Sequence, residues 1–278
     1  MDCDLITSVS PEGQYREIRA NKVSRTYVIT GAASGIGLAT SRLLSERGAT
    51  VIGVDIRDAD VNVDLGSASG RVDLVERVAS LSGGRIDAIL AIAGRNAPTP
   101  ETAAVNYFGA VHTLEGLRPL LLQSDAPRAV AVSSMTSLFA PDDLLLAALL
   151  SSNEEAALSR AAQLENQGNL IYSTTKRALA IWIRRNAASA PWAGASIPLN
   201  GVAPGVVATP MTAAMTATPQ ARAELATRVP MPLGGIFAAR DLAYLLAWLA
   251  GEENAHLCGQ VVFIDGGSDV VIRGDSTW

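Results

Sequence analysis

The chain has 278 residues, 49% of them hydrophobic, and a net charge of -5, which suits one large α/β domain with a substantial core. The acidic balance, without any basic run, argues against nucleic acid or an anionic membrane as partner and favours a small molecule. The longest apolar stretches, LLLAALL at 144–150 and LAYLLAWLA at 242–250, are too short to span a bilayer. The opening MDCDLITSVSPEGQYREIR carries neither an apolar signal core nor an arginine-rich transit pattern, so cytoplasm is the expected compartment. Cys3 and Cys258 are remote from each other and lack metal-ligand spacing; no disulfide and no metal site is expected.

Residues 1–24 lack hydrophobic periodicity and read as a mobile N-terminal extension. A single domain is expected over 25–273, followed by a short tail at 274–278. TYVIT (26–30) predicts a strand, GLATSRLLSERGA (37–49) a helix and VIGVD (51–55) a second strand. The alternation continues with a helix over 69–81, the strand IDAILAIAG (86–94), a helix over 101–122 and the strand RAVAVSS (128–134). A helix carrying Tyr172 and Lys176, the strand SIPLNGVAPG (196–205), a helix over 239–250 and the strand QVVFIDGG (260–267) complete it. Strands written as continuous apolar runs are buried on both faces, which implies a doubly wound parallel sheet. Two segments interrupt the pattern. Residues 135–171 suggest two short inserted helices, and 206–238, rich in Met, Thr, Ala and Pro, suggests a substrate loop beside a strand's carboxyl end.

TGAASGIG (30–37) joins the first strand to the first helix. Its glycines, Gly31, Gly35 and Gly37, let backbone approach a pyrophosphate, with Ser34 and Ile36 between them and helical N–H groups ahead. Asp55 closes the second strand, where a carboxylate accepts both hydroxyls of an adenosine ribose and repels a 2′-phosphate. NAD is therefore favoured over NADP, although Arg57 stands two residues on. Asp64 and Leu65 follow at a distance suited to the adenine, where an ordinary surface turn is the alternative. Ser133 and Ser134 end a strand at the edge where open α/β sheets bind ligands, though paired serines also cap helices.

Tyr172 and Lys176 share one helix face. Of the 22 basic residues only Lys22 and Lys176 are lysines, so the chain departs here from its habit of using arginine. A compact cation whose pKa responds to burial suits a place beside a phenol; an arginine fork does not. The bland alternative is a surface pair.

Taken together, TGAASGIG, AIAG (91–94), VNYFGA with Asn106, Ser134, the Tyr172-x-x-x-Lys176 pair, APG (203–205) with Thr209 and the terminal IDGG resemble the short-chain dehydrogenases/reductases. The resemblance implies a single-domain, Rossmann-like α/β fold. It implies that Ser134 polarises the substrate oxygen and that Tyr172 transfers the proton. Lys176 would hold the ribose and lower the tyrosine pKa, and Asn106 would support a proton relay. Ala93, Gly94, Pro204, Gly205, Val207 and Thr209 would join the glycine loop, Asp55, Asp64 and Leu65 around the cofactor. The chain has Ala91, Ile92, Ala93 and Gly94 where many members have N-N-A-G, so side-chain hydrogen bonds from that strand are lost.

The long interval before Tyr172, with VDIRDADVNVDLGSASGR and IDGGSDVVIRG, is similar to the bacterial 3α-hydroxysteroid dehydrogenase/carbonyl reductase subgroup. That likeness implies an NAD(H)-dependent interconversion of a secondary alcohol and a ketone, apolar, cyclic or steroid-like. It also implies a homodimer through the last helix and strand, with a tetramer as the alternative. Met211, Met215, Leu225, Val229 and Met231 are candidate pocket residues. The rival functions are a non-catalytic dinucleotide sensor or scaffold and a reductase of acyl thioesters. His112, His256, Trp182, Trp192 and Trp248 read as structural or surface residues.

Overall fold

The computed structural model describes residues 7–9, 15–17 and 24–276. Two short strands, β1 (Thr7–Val9) and β2 (Tyr15–Glu17), pair antiparallel. The rest of the expected extension lies outside the described residues.

The domain proper alternates strand and helix: β3 (Thr26–Thr30), α1 (Gly35–Glu46), β4 (Thr50–Asp55), β5 (Val61–Asn62), α2 (Ala68–Ser82) and β6 (Ala88–Ala91). Next come α3 (Pro100–Ala103), a π-helical turn at Ala104–Gly109, and α4 (Ala110–Leu121). These form the single helical run expected over 101–122, with its hydrogen-bond register widened at Asn106. After β7 (Arg128–Val132) and a 3₁₀ turn at Met135–Leu138 come the inserted helices α5 (Asp143–Leu150) and α6 (Glu154–Gln163), then α7 (Leu170–Asn186). The chain continues through β8 (Leu199–Pro204), β9 (Val207–Ala208), α8 (Ala213–Thr216), α9 (Pro219–Arg228), β10 (Phe237–Ala238), α10 (Ala239–Leu249), β11 (Val261–Ile264) and α11 (Ser268–Arg273). Among the described residues no helix is long and apolar enough to cross a membrane.

The main sheet has the order β11-β8-β7-β6-β3-β4-β5, with every pairing parallel. This is the expected doubly wound sheet, and its central strands β6 and β7 are buried along their whole length, as parallel strands covered on both faces must be. One face carries α1 and α10, packed on Ile29, Leu90 and Val130. The other carries α2, α4 and α7 on Val28, Ile89 and Ala129. Chain order reverses between β3 and β6, so a crevice opens at their carboxyl ends, where open α/β sheets hold ligands.

The insertion is part of the core. Leu145, Leu149, Ala157 and Ala161 are fully buried in the same cluster as Ile171 and Leu179 of α7. Asp142 caps α5 by accepting from the Leu145 N–H at 2.8 Å, and its other oxygen accepts from Arg160 of α6 at 2.6 Å. Arg71 of α2, 5% exposed, holds Glu154 at the start of α6 with both ends of its guanidinium.

Candidate active site

Three glycines shape the turn from β3 into α1, each for a different reason. Gly31 has φ +72°, and a Cβ there would lie 3.0 Å from the Ala93 Cα. Gly35 has φ +51° and packs on Thr209, while a Cβ at Gly37 would sit 2.0 Å from the Gly31 carbonyl oxygen. Only glycine lets α1 begin this close to the strand end. Asp55 braces the turn from β4: its Oδ2 accepts from the Ala33 N–H at 3.0 Å and its Oδ1 from the Ile56 N–H at 2.7 Å. The Ser34 side chain makes no cap to α1, which leaves the first helical N–H groups available to an anion.

Around this turn lies a groove of about 550 Å³ lined by Gly31, Ser34, Asp55, Asp64, Leu65, Ala93 and Gly94 among others. Seven residues expected at the cofactor are thus brought together. The Asp64 Oδ1 accepts from the Gly66 N–H at 2.8 Å, shaping the turn beneath Leu65. Thr30, unremarked in the sequence, accepts from the N–H groups of Ile92 and Ala93, both at 3.0 Å, and so braces the end of β6 against β3. Ile36 packs its side chain into the α1 face of the core. Pro204 ends β8, Val207 pairs with Phe237, and the Thr209 N–H donates to Thr212 Oγ1 at 3.1 Å.

Gly94 joins groove to proton-transfer centre, since a Cβ there would lie 3.3 Å from Asn106 Oδ1 and 3.4 Å from Lys176 Nζ. Asn106, fully buried in the π-helical turn, accepts from the Arg95 N–H at 2.9 Å and donates to the Arg95 carbonyl at 3.0 Å. It fixes the backbone beyond β6. Such register changes recur at functional sites.

Lys176 is 3% exposed, and its Nζ donates to the Val132 carbonyl at 2.8 Å. Burial lowers its pKa to about 8. Ser133 secures the helix by donating to the Lys176 carbonyl at 2.8 Å. The Tyr172 phenol hydrogen-bonds Ser134, which also accepts from the Thr136 N–H at 3.2 Å. Desolvation pushes the Tyr172 pKa above its ordinary value, and the bond to Ser134 opposes that rise without reversing it. The expectation is a tyrosine pKa lowered by Lys176; in the structure the net direction is upward, with desolvation as its first cause. Burial disfavours phenolate more than a cation 5.7 Å from the ring centroid favours it.

Beyond Ser134 and Tyr172 lies a smaller cavity of about 90 Å³, lined mainly by apolar side chains. Met211, Met215, Leu225 and Val229 line it as expected, but Met231 does not; its sulfur accepts from the Val206 N–H at 3.2 Å, beneath the wall. The inserted helices do not line it either. From the segment 135–171 only Met135, Thr136, Phe139 and Asn169 reach it, because α5 and α6 are committed to α7 and the core. Asn96 reaches both groove and cavity, and Arg228 lines the cavity. Neither carries a sequence signal, since their placement depends on how two distant loops meet.

A family model described as short chain dehydrogenase matches residues 25–143, and one described as Enoyl-(Acyl carrier protein) reductase matches residues 155–269. The chain is 35% identical over 252 residues to the 3-alpha-hydroxysteroid dehydrogenase/carbonyl reductase of Comamonas testosteroni, covering 88% of this chain and 97% of that one. It is 29% identical to the cis-4-hydroxycyclohexanecarboxylate dehydrogenase of Sinomonas cyclohexanicum, covering 89% and 97%. Among solved structures, the 3-alpha-hydroxysteroid dehydrogenase of Pseudomonas sp. B-0831 complexed with NADH superimposes with a TM-score of 0.83 at 36% identity, covering 90% of this chain and 99% of that one. With the doubly wound sheet, the glycine turn and these relatives in agreement, the chain belongs to the short-chain dehydrogenase/reductase family and is an alcohol–ketone oxidoreductase.

Proposed function

We propose that this protein uses NAD(H) to interconvert a cyclic secondary alcohol and its ketone, with Tyr172 moving the proton. The observation that carries this is the placement of Ser134 and Tyr172 together on one apolar cavity, backed by the buried Lys176. The groove residues fit a dinucleotide: Gly35 and Gly37 leave a cradle that a Cβ would fill, and α1 offers free N–H groups. Asp55 receives the adenosine ribose and disfavours a 2′-phosphate, so NAD is preferred over NADP. When bound, the nicotinamide supplies or accepts the hydride at the substrate carbon.

The remaining work belongs to the protein. In ketone reduction, the Tyr172 phenol gives its proton to the carbonyl oxygen while Ser134 donates a hydrogen bond to the same oxygen as charge develops there. Lys176 spends one of its three donors on Val132, leaving two for the ribose hydroxyls, and its charge stabilises the phenolate formed. Asn106 holds the Arg95 backbone that borders the groove. In oxidation, the phenolate takes the hydroxyl proton.

The relatives named for hydroxysteroid and hydroxycyclohexane substrates support a ring-shaped substrate. The cavity of about 90 Å³ lies below the ~300–1,000 Å³ of small-molecule sites, so a steroid-sized ring requires α8 and α9 to swing outward. Gly234 and Gly235, both at positive φ with open space where a Cβ would stand, end that segment and can take up the rotation. Assembly follows from the same packing. The proposed assembly is a homodimer through the edge strand β11 and α11, supported by α5 covering part of α7 and by Val270 and Val271 being 70% and 57% exposed.

The test is a redox assay of cyclic ketones, among them a 3-ketosteroid and cyclohexanone derivatives, with NADH and with NADPH. Oxidation of NADH dependent on the ketone is expected. Cofactor binding with no turnover of any ketone would favour the sensor, and turnover of acyl thioesters alone would favour the other rival.

A further inference from the structure

We infer that Arg228 recognises a carboxylate carried by the substrate away from its reacting carbon. This rests on the cavity beside Tyr172 being the substrate site, and it adds the class of molecule that the site accepts.

Among the described residues lining the cavity, Arg228 is the one that carries a charge. Around it the wall is apolar, with Val206, Met211 and Leu225 suited to a hydrocarbon ring. Several other arginines pair with the chain's own carboxylates, among them Arg71 with Glu154, Arg160 with Asp142, Arg240 with Glu46 and Arg273 with Asp269. Arg228 has no hydrogen bond or ion pair among the described residues. Its neighbours on α9 are engaged differently, Arg222 with the Thr216 carbonyl and Glu224 with Gln220. Its position as the last residue of α9 suits a cation, since the helix ends in unpaired carbonyls. That accounts for a positive charge at this point, where the Arg228 side chain is exposed, but a lysine would serve equally.

The chemistry selects a carboxylate. A chain of net charge -5 disfavours an anion in general, and a local cation offsets that at the cavity. A guanidinium presents two parallel N–H groups that match the two oxygens of a carboxylate. Arg228 lines the cavity and not the groove, which removes the cofactor phosphates as its partner. A neutral ketone would bring apolar surface against an unpaired cation and gain nothing from it. A ring bearing an acid places its apolar body on the methionines, its carbonyl at Ser134 and Tyr172, and its carboxylate at Arg228.

The experiment compares each of two cyclic keto acids, 4-oxocyclohexanecarboxylate and 3-(4-oxocyclohexyl)propanoate, with its own carboxamide, using NADH and the full-length enzyme. For wild type, kcat/KM for at least one acid should exceed that of its amide by about tenfold to a hundredfold, carried mainly by KM. In Arg228→Gln that ratio should fall to near one, and Arg228→Lys should restore part of it. An acid-to-amide ratio near one in wild type, or one unchanged in Arg228→Gln, overturns the assignment. Turnover of the amides keeps the redox assignment standing when the carboxylate preference fails. If none of the compounds is reduced, calorimetric titration of each into enzyme saturated with NADH decides: tighter binding of an acid that is lost in Arg228→Gln supports the pairing, and equal binding overturns it.

Discussion

Lys176 stands one helical turn beyond Tyr172, yet its ammonium donates to the Val132 carbonyl at 2.8 Å and lies 5.7 Å from the centroid of the tyrosine ring. The pair therefore acts through space across a buried interval. Burial pushes the tyrosine pKa up and the lysine pKa down, so desolvation favours the neutral form of each group. A proton donor that stays protonated at neutral pH suits ketone reduction.

Replacing Tyr172 by Phe removes the transferable proton and little volume. Turnover of a cyclic alcohol or ketone should fall by roughly 10²–10⁴, while cofactor affinity, followed by quenching of protein fluorescence, stays near wild type. Undiminished turnover would take the proton step away from Tyr172.

The lowered lysine pKa has a signature in stability. Between about 8, where Lys176 titrates in the folded chain, and ~10.4, where an unfolded lysine does, the unfolded state binds the extra proton, so stability rises with pH. The raised tyrosine pKa acts oppositely, but only above ~10, where an unfolded tyrosine begins to ionise. From pH 7.5 to 9.5, wild type should gain about 2 kcal/mol relative to Lys176→Met in urea unfolding. Parallel pH profiles for the two proteins would contradict the burial of a titrating lysine.

Asp55 has two tasks, bracing the Ala33 N–H and facing the groove. Asp55→Asn keeps an acceptor for the brace and removes the charge. The proposed NAD-over-NADP preference, as a ratio of dissociation constants, should drop by about tenfold, on the order of 1.4 kcal/mol. An unchanged ratio would mean that discrimination lies elsewhere.

At Gly37 the constraint is steric. The Cβ of Gly37→Ala would sit 2.0 Å from the Gly31 carbonyl oxygen, so α1 must shift outward. A loss of about 1–3 kcal/mol and weakened NAD binding are expected together, read by thermal unfolding and titration. Gly48→Ala, at positive φ with no atom near the added Cβ, should leave NAD binding unaffected.

Arg71 and Glu154 tie the insertion to α2 at 5% and 31% exposure. Glu154→Ala strands a buried guanidinium and should cost roughly 2–3 kcal/mol. The more exposed pair Arg240–Glu46 should tolerate Glu46→Ala with little change. Equal effects in denaturant unfolding would show that the insertion is held by its leucines alone.

The strand–helix alternation, the parallel sheet and the residues of the glycine turn were legible from the chain alone. They depend on local rules: apolar runs for buried strands, helical spacing, glycine where backbone must pass close. The Tyr172–Lys176 spacing was legible for the same reason, since four residues on a helix always share a face. Other features depended on surfaces meeting across long sequence distances. Thr30 supports Ile92 and Ala93, the inserted helices face α7 and the core instead of the cavity, and Met231 serves as an acceptor beneath the wall. Local pattern could mark Tyr172, Lys176 and Asp55 as chemically apt; only packing, which sets burial and therefore charge, decided that the tyrosine pKa rises and that Arg228 faces the cavity with no hydrogen-bond or ion-pair partner among the described residues.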